Sequence, residues 1–300
     1  MAPKSKLKAV DPKAAEPSKP KILIFGKPGV GKTWVSMDFP SCFYIDTEGG
    51  ANRRHYTDKL SASGGMYFGP DQGSLSFENI IEQVQALATE EHEYKTLVID
   101  SITKVFNVEI ATEAERLGDK NAFGADKKPA VSKMRRLVNW LSRIDMNVIL
   151  IAHEKSEWGL NNKGERTEVG VTFDCWDKLS YEFDLCFNII KNGPSHIAKI
   201  NKSRLTEFPN AGTFPWSYEN FAQKYGADVI QRKSAPIEVA NAEQLEEIKR
   251  LLHIVKLPEG QEEKWLKAAQ IDEWSEMSSE RIAKAIEHIK TAYLSQGAAA

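Results

Sequence analysis

Two patterns in the 300-residue sequence predict an α/β fold with a mainly parallel central sheet and a small helical segment at its C-terminal end. Short, almost wholly apolar runs alternate with stretches of helical periodicity over the first two thirds of the chain. Beyond residues 234–236 the β-like runs stop, and apolar residues recur only at helical spacing.

The first 20 residues hold five lysines and four prolines and no apolar run, so they read as a flexible, mildly basic tail rather than a secretory signal. KILIF (21–25) is the first strand expected, followed by CFYID (42–46), TLVID (96–100), NVILIA (147–152), DLCFNII (184–190) and HIAKI (196–200). Runs this apolar suit strands buried on both faces. Residues 77–88, 105–116 and 131–144 fit helices between them. Residues 154–171 show no apolar periodicity and contain Gly159, Asn161, Asn162 and Gly164, which predicts a long loop, functional or disordered. In the last segment Leu245, Ile248, Leu251, Leu252 and Val255 mark a helix that Asn241 and Gln244 would cap. Trp265, Leu266 and Ala269 mark a second. Ile282, Ile286, Ile289 and Tyr293, after the cap candidates Ser278 and Ser279, mark a third. Such a bundle would be marginal alone and is expected to dock on the core. The expected division is a tail over 1–20, a core over 21–233 and a helical unit over 236–296, with 297–300 a frayed end.

Composition narrows the function classes. Hydrophobic residues make up 41% and charged residues 27%, ordinary for a soluble protein, and no run approaches the roughly 18 apolar residues of a membrane span. Cys42, Cys175 and Cys186 lack metal or redox spacing and are expected to be buried and reduced in a cytoplasmic protein. The net charge of −2 gives no global sign of nucleic-acid binding, but the charge is segregated. Lys120, Lys127, Lys128, Lys133, Arg135 and Arg136 cluster against Asp119 and Asp126; Lys191, Lys199, Lys202 and Arg204 cluster with no acid between them.

The chemistry concentrates in four places. GKPGVGKT, formed by Gly26, Lys27, Pro28, Gly29, Val30, Gly31, Lys32 and Thr33, fits the phosphate-binding loop pattern and follows a strand. Its glycines would turn backbone N–H groups inward around phosphate oxygens, assisted by the dipole of a helix starting near Lys32. Lys32 would reach the β- and γ-phosphates, and Thr33 would ligate Mg²⁺. Asp100, ending TLVID, is the second expected metal ligand. Glu48 in YIDTEGG could orient or deprotonate an attacking water; Asp46 is the alternative. His153 ends a strand at the carboxyl edge, where open α/β sheets bind ligands, and could report on the γ-phosphate.

The ordered set GKPGVGKT, YIDTEGG, VIDSIT, ILIAHE and KINKSRL resembles the ATPase core of RecA-family recombinases over residues 20–215, and most of all core-only phage proteins of the Sak-type single-strand annealing class. That resemblance implies a RecA-like P-loop NTPase core using ATP and Mg²⁺, with Glu48 as catalytic base and His153 as sensor ahead of a DNA-binding loop. It implies Lys199, Lys202 and Arg204 as cations inserted into a neighbouring subunit's ATP site. It further implies single-stranded DNA as partner, a homo-oligomer (filament or ring), DNA-stimulated ATP hydrolysis, and the bacterial host cytoplasm as the setting. The C-terminal segment could engage single-strand-binding or other replication proteins. A hexameric helicase-type motor and a nucleotide-gated adaptor for replication proteins remain the rival readings; a P-loop kinase would leave Glu48 and His153 unexplained. The loop after His153 is mixed in charge, with Lys155, Lys163 and Arg166 beside Glu154, Glu157, Glu165 and Glu168. Trp158 there would either stack on a base or pack on the surface.

Overall fold

The computed structural model describes residues 17–122, 124–160, 163–255 and 257–294. The expectations for residues 1–16 of the tail, for Asn161 and Asn162 and for 297–300 lie outside the described residues. The chain runs β1 (Lys21–Gly26), α1 (Lys32–Ser36), β2 (Cys42–Asp46), α2 (Arg54–Ala62), β3 (Met66–Phe68), α3 (Phe77–Thr89), β4 (Thr96–Asp100), α4 (Ile102–Leu117) and α5 (Lys127–Arg143). It continues with β5 (Asn147–Leu160), β6 (Arg166–Asp174), α6 (Leu179–Glu182), β7 (Leu185–Asn192), β8 (Ser195–Ser203), β9 (Thr213–Pro215), α7 (Tyr218–Tyr225) and α8 (Ala227–Gln231). Three further helices follow: α9 (Ala242–Ile254), α10 (Gln261–Ala269) and α11 (Ser279–Ile289).

The sheet order is β3-β2-β4-β5-β1-β7-β8-β9. The pairs from β3 to β7 are parallel, and β8 and β9 extend the sheet antiparallel. This is the α/β class the apolar runs predict. Alternate residues of each run face opposite sides. Leu23, Phe25, Leu97, Ile99, Val148 and Leu150 pack against α3, α4 and α5. Ile22, Ile24, Val98, Ile149 and Ile151 pack on the other face against Val35, Leu60 and an aromatic cluster around Phe39, Phe187 and Phe221. Each fully buried aliphatic side chain contributes about 1.5–3 kcal/mol, so the sheet holds its strand ends rigidly. The three cysteines are free and buried; burial pushes the Cys175 and Cys186 thiols up to about 12 and Cys42 higher still.

One expectation fails. Residues 154–171 are mostly a β-hairpin, because β5 does not stop at Ala152 but continues to Leu160 and pairs antiparallel with β6 from His153↔Asp174 out to Leu160↔Arg166. Val171 and Phe173 still pack the base of this arm on the core, but from Ser156 outward β5 is largely exposed, so no buried face imposes an apolar alternation there.

The last three helices share their own core around Ile248, Leu251, Trp274, Ile282 and Ile289, and Asn241 and Gln244 form the reciprocal cap on α9. The unit meets the sheet's helical layer through ions. Arg136 on α5 pairs with Asp272 at 2.9 Å and with Glu276, Arg143 donates to the Glu276 carbonyl at 2.8 Å, and Gln85 donates to the Glu276 carboxylate at 3.1 Å. Glu276 is only 3% exposed. Arg136→Ala would leave that carboxylate without its cation, at a cost of up to about 3 kcal/mol. Limited proteolysis across residues 232–241 is therefore expected to accelerate while nucleotide binding stays unchanged; equal cleavage rates would remove Arg136 from the docking contact.

Candidate active site

β1, β2 and β4 end on one edge of the sheet, β5 crosses that edge at His153, and the turns and the projecting arm bound a cleft of about 640 Å³. Lys32, Thr33, Asp46, Glu48, Asp100 and His153 all line it. Residues from four separate stretches of sequence thus meet at one place.

The glycine-rich turn has the backbone that its sequence requires. Gly29 (φ 77°) and Gly31 (φ 88°) are left-handed, a conformation that side chains resist. A Cβ at Gly31 would also come within 2.8 Å of the His196 ring, and one at Gly26 would collide with the Ile189 carbonyl. α1 has five residues, so the turn's N–H groups, rather than a long helix dipole, supply the anion cradle. Lys32 Nζ donates to the carbonyls of Gly26 (2.7 Å) and Lys27 (2.9 Å), folding the ammonium across the turn. Burial lowers its pKa, against the opposing pull of Asp100, Glu48 and Glu154.

Asp100 is the hub beneath. The Thr33 and Tyr44 hydroxyls both donate to its Oδ2, each at 2.6 Å. Burial raises the Asp100 pKa, while those two bonds and the neighbouring carboxylates Glu48 and Asp46 act in opposite directions upon it. A half-buried carboxylate with a threonine hydroxyl beside it, under an ammonium and an N–H cradle, is a fit donor set for a magnesium-bound triphosphate. Thr33 and Asp100 are the residues that would hold the metal, directly or through water.

Asp46 and Glu48 have separable environments. Asp46 accepts the N–H groups of Glu48 (3.1 Å), Gly49 (2.8 Å) and Ala51 (2.7 Å), and the Tyr67 hydroxyl at 2.9 Å. It is 2% exposed and organises the turn. Glu48 stands at the cleft surface. Its Oε1 accepts from Ser101 Oγ at 2.5 Å and lies 2.6 Å from His153 Nε2; a carboxylate can only accept, so Nε2 carries the proton. Partial burial pushes the Glu48 pKa up, but the Ser101 bond, the His153 charge and bond and Lys104 outweigh it and hold the carboxyl below its usual range.

His153 is also fixed through its backbone, whose N–H donates to Thr103 Oγ1 at 2.8 Å. Glu154, the next residue, accepts from Asn188 Nδ2 at 3.0 Å. Tyr44, Ser101, Thr103, Asn188 and the cleft-lining Tyr56 escaped the sequence reading. Only Tyr44 and Asn188 left a signal there, as polar groups inside otherwise apolar strands.

Lys202 and Arg204 lie elsewhere. Lys202 Nζ donates to the carbonyls of Ser180 (2.9 Å) and Phe183, and Arg204 donates to Tyr181 O (2.6 Å) and Asp184 (3.1 Å). Both thus bind the α6 stretch of their own chain, and neither lines the cleft; Lys199 is exposed on β8. Within the basic 120–136 segment, Lys133 pairs with Glu78 and with Glu109 at 2.6 Å, and Arg136 docks the last helices. The exposed cations left are Lys120, Lys127 and Lys128, with Arg135 over the Trp176 ring at 5.6 Å.

An AAA-domain family matches residues 18–212. No curated protein matches the chain. Among solved structures, a RadB recombinase is similar at 15% identity and a TM-score of 0.42, covering 67% of this chain and 88% of that one. A prototypical ATPase from the type III secretion system of pathogenic bacteria is similar at 15% identity and a TM-score of 0.36, covering 91% and 81%. At those values the likenesses bear on neither activity nor assembly. The family match spans β1 to β8, the glycine-rich turn and every residue of the cleft named above, and the chain belongs to that AAA-domain family as a P-loop ATPase with a mainly parallel α/β core.

Proposed function

We propose that this ATPase is a single-stranded-DNA-binding recombinase or annealing protein of phage type, using ATP and Mg²⁺ in an oligomer. The observation that carries the reading is the continuity of β5. His153, bonded to Glu48 at the cleft, is followed without a break by the projecting hairpin, whose outer part exposes Trp158 (54%), Leu160 (72%) and Val169 (57%). The Arg166 guanidinium lies 5.5 Å from the Trp158 ring. An aromatic ring with an adjacent cation is a sequence-tolerant platform for a base. Some of the hairpin's acids are engaged internally, Glu154 by Asn188 and Glu168 by Ser156.

In this reading Lys32 and the turn's N–H groups bind the β- and γ-phosphates, and Thr33 and Asp100 hold the metal. Bound magnesium would neutralise charge on the phosphate oxygens. Glu48 takes the proton of the attacking water, and His153 senses the γ-phosphate and biases the hairpin toward its DNA-binding position. A ligand that binds one state better shifts the population toward it. The domain division at about residue 235, the cytoplasmic setting and replication proteins as partners of the C-terminal unit belong to the same proposal. Electron microscopy with single-stranded DNA and a slowly hydrolysed ATP analogue tests it. Filaments are expected; closed rings would favour the helicase-type motor, and unchanged monomers the adaptor.

The exposed pair Lys127 and Lys128 should supply phosphate contacts. Reversing both to Glu is expected to weaken binding to all DNA sequences and to flatten its dependence on salt, since fewer counterions are released. An unchanged slope of log K against log salt would leave the pair as solvated helix ends.

A further inference from the structure

The C-terminal helical unit carries a groove that the ATPase reading does not use. We propose that this groove, between α10 and α11, docks an acidic peptide segment bearing one bulky apolar side chain. The inference concerns a partner of the last three helices and stands independently of the nucleotide chemistry.

The floor of the groove is apolar and fixed. Ala269, Trp274, Met277 and Ile289 are all buried, and the Trp274 indole N–H is already satisfied by Glu262 at 2.8 Å. A guest therefore meets the ring and leaves no polar atom stranded. The space exists because the walls carry Ala268 and Ala285 where larger side chains would close it, and its volume of about 340 Å³ admits an aromatic ring.

The rim has one sign. Its charged groups are Arg281 and Lys284, His288 stands beside them, and no acidic residue lines it. Their spacing of three and four residues aligns them along one side of α11. Lys284 is paired with Glu280 one turn back, an exposed contact that exchanges at little cost. Among the described residues Arg281 forms no ion pair, and His288 stands edge-on to Trp265 with ring centroids 6.1 Å apart. This cationic line is local, since acids outnumber bases in the segment from residue 236 onward.

That contrast selects the occupant. A long polyanion such as single-stranded DNA needs an extended basic track, and the acidic remainder of the unit would repel it. A short segment with a few carboxylates and one anchoring ring matches both the line and the hole. The chain's own terminal segments match poorly: residues 1–16 bring lysines to a cationic rim, and residues 295–300 carry neither an acidic side chain nor a bulky apolar one.

The test uses the full chain and a fluorescein-labelled synthetic decapeptide of aspartate, glutamate and glycine containing one phenylalanine, followed by fluorescence anisotropy. Saturable binding is expected. It should weaken at least about tenfold in the rim reversal Arg281→Glu with Lys284→Glu, and likewise in Ala285→Trp, which fills the hole. Binding of a fluorescent ATP analogue and the melting temperature should not move in the rim variant, whose substitutions are at exposed positions. Equal binding of a peptide with serine in place of the phenylalanine would overturn the proposal. So would rim reversal that leaves peptide binding intact, that instead abolishes binding of a single-stranded oligonucleotide, or that only alters self-association in sedimentation.

Discussion

Glu48→Gln is expected to retain ATP binding and to lose turnover by about 10²–10⁴-fold, the usual contribution of a positioned general base. The substitution keeps the shape of the side chain and an oxygen able to accept from Ser101, so the local geometry should survive. What disappears is the proton-accepting charge. The wild-type carboxyl is held below its ordinary range by Ser101 and His153, so it stays ionised as pH falls through the region where a free glutamate would protonate, and the acid limb of the rate profile should lie correspondingly low. The alternative base is separable by its environment. Asp46→Asn would disturb an acceptor of three backbone N–H groups and a tyrosine hydroxyl, so it should lower the melting temperature, which Glu48→Gln should not. Phosphate release and nucleotide titration on the same preparation decide the matter. Parent-rate hydrolysis by Glu48→Gln would reassign the base.

A second large effect is expected from Lys202→Ala with Arg204→Ala. If these cations reach the neighbour's γ-phosphate, their loss should reduce hydrolysis by about 10³–10⁵-fold, the range for an inserted cationic finger. Lys32→Ala should also be inactive, because it removes the ammonium bonded across the turn at Gly26 and Lys27. Mixing the two inactive proteins rebuilds some interfaces with every part present, so ATPase activity should return. The geometry sets a condition: Lys202 and Arg204 are bonded to carbonyls of residues 180–183 and to Asp184, and assembly must exchange those bonds or bring the neighbour's cleft to them. Two inactive variants that co-assemble, shown by sedimentation, yet stay inactive would exclude a composite site.

The strands were legible because five of them are apolar runs buried on both faces and a sixth, in β8, keeps an apolar alternation, and the turn at Gly26–Thr33 because its glycines serve local geometry. The C-terminal helices were legible through their spacing and the Asn241–Gln244 cap. The hairpin was not: past Lys155 the strand is largely exposed, so neither period survives, and its glycine and asparagines imitate a loop. Other contacts were illegible for a different reason. Tyr44 and Asp100 are 56 residues apart, and Asn188 and Glu154 are 34 apart, so only the folded sheet pairs them. Lys133 and Arg136 read as free basic residues because their acidic partners, Glu109 and Glu276, belong to other helices.

The unbroken course of β5 also has a mechanical side. From His153 to Leu160 it is a paired ribbon about 23 Å long, with one register shift between Glu157 and Trp158 and no glycine of its own before Gly159. It works as a lever whose fulcrum lies at the sheet edge, with its short arm bonded to Glu48. A tilt of about 10° at the fulcrum would sweep the tip through about 4 Å, far enough to trade one set of partners at Trp158 for another. Changes at the γ-phosphate end of the cleft should then appear as a rotation of the whole ribbon, with its cross-strand pairs preserved, rather than as melting of its outer half.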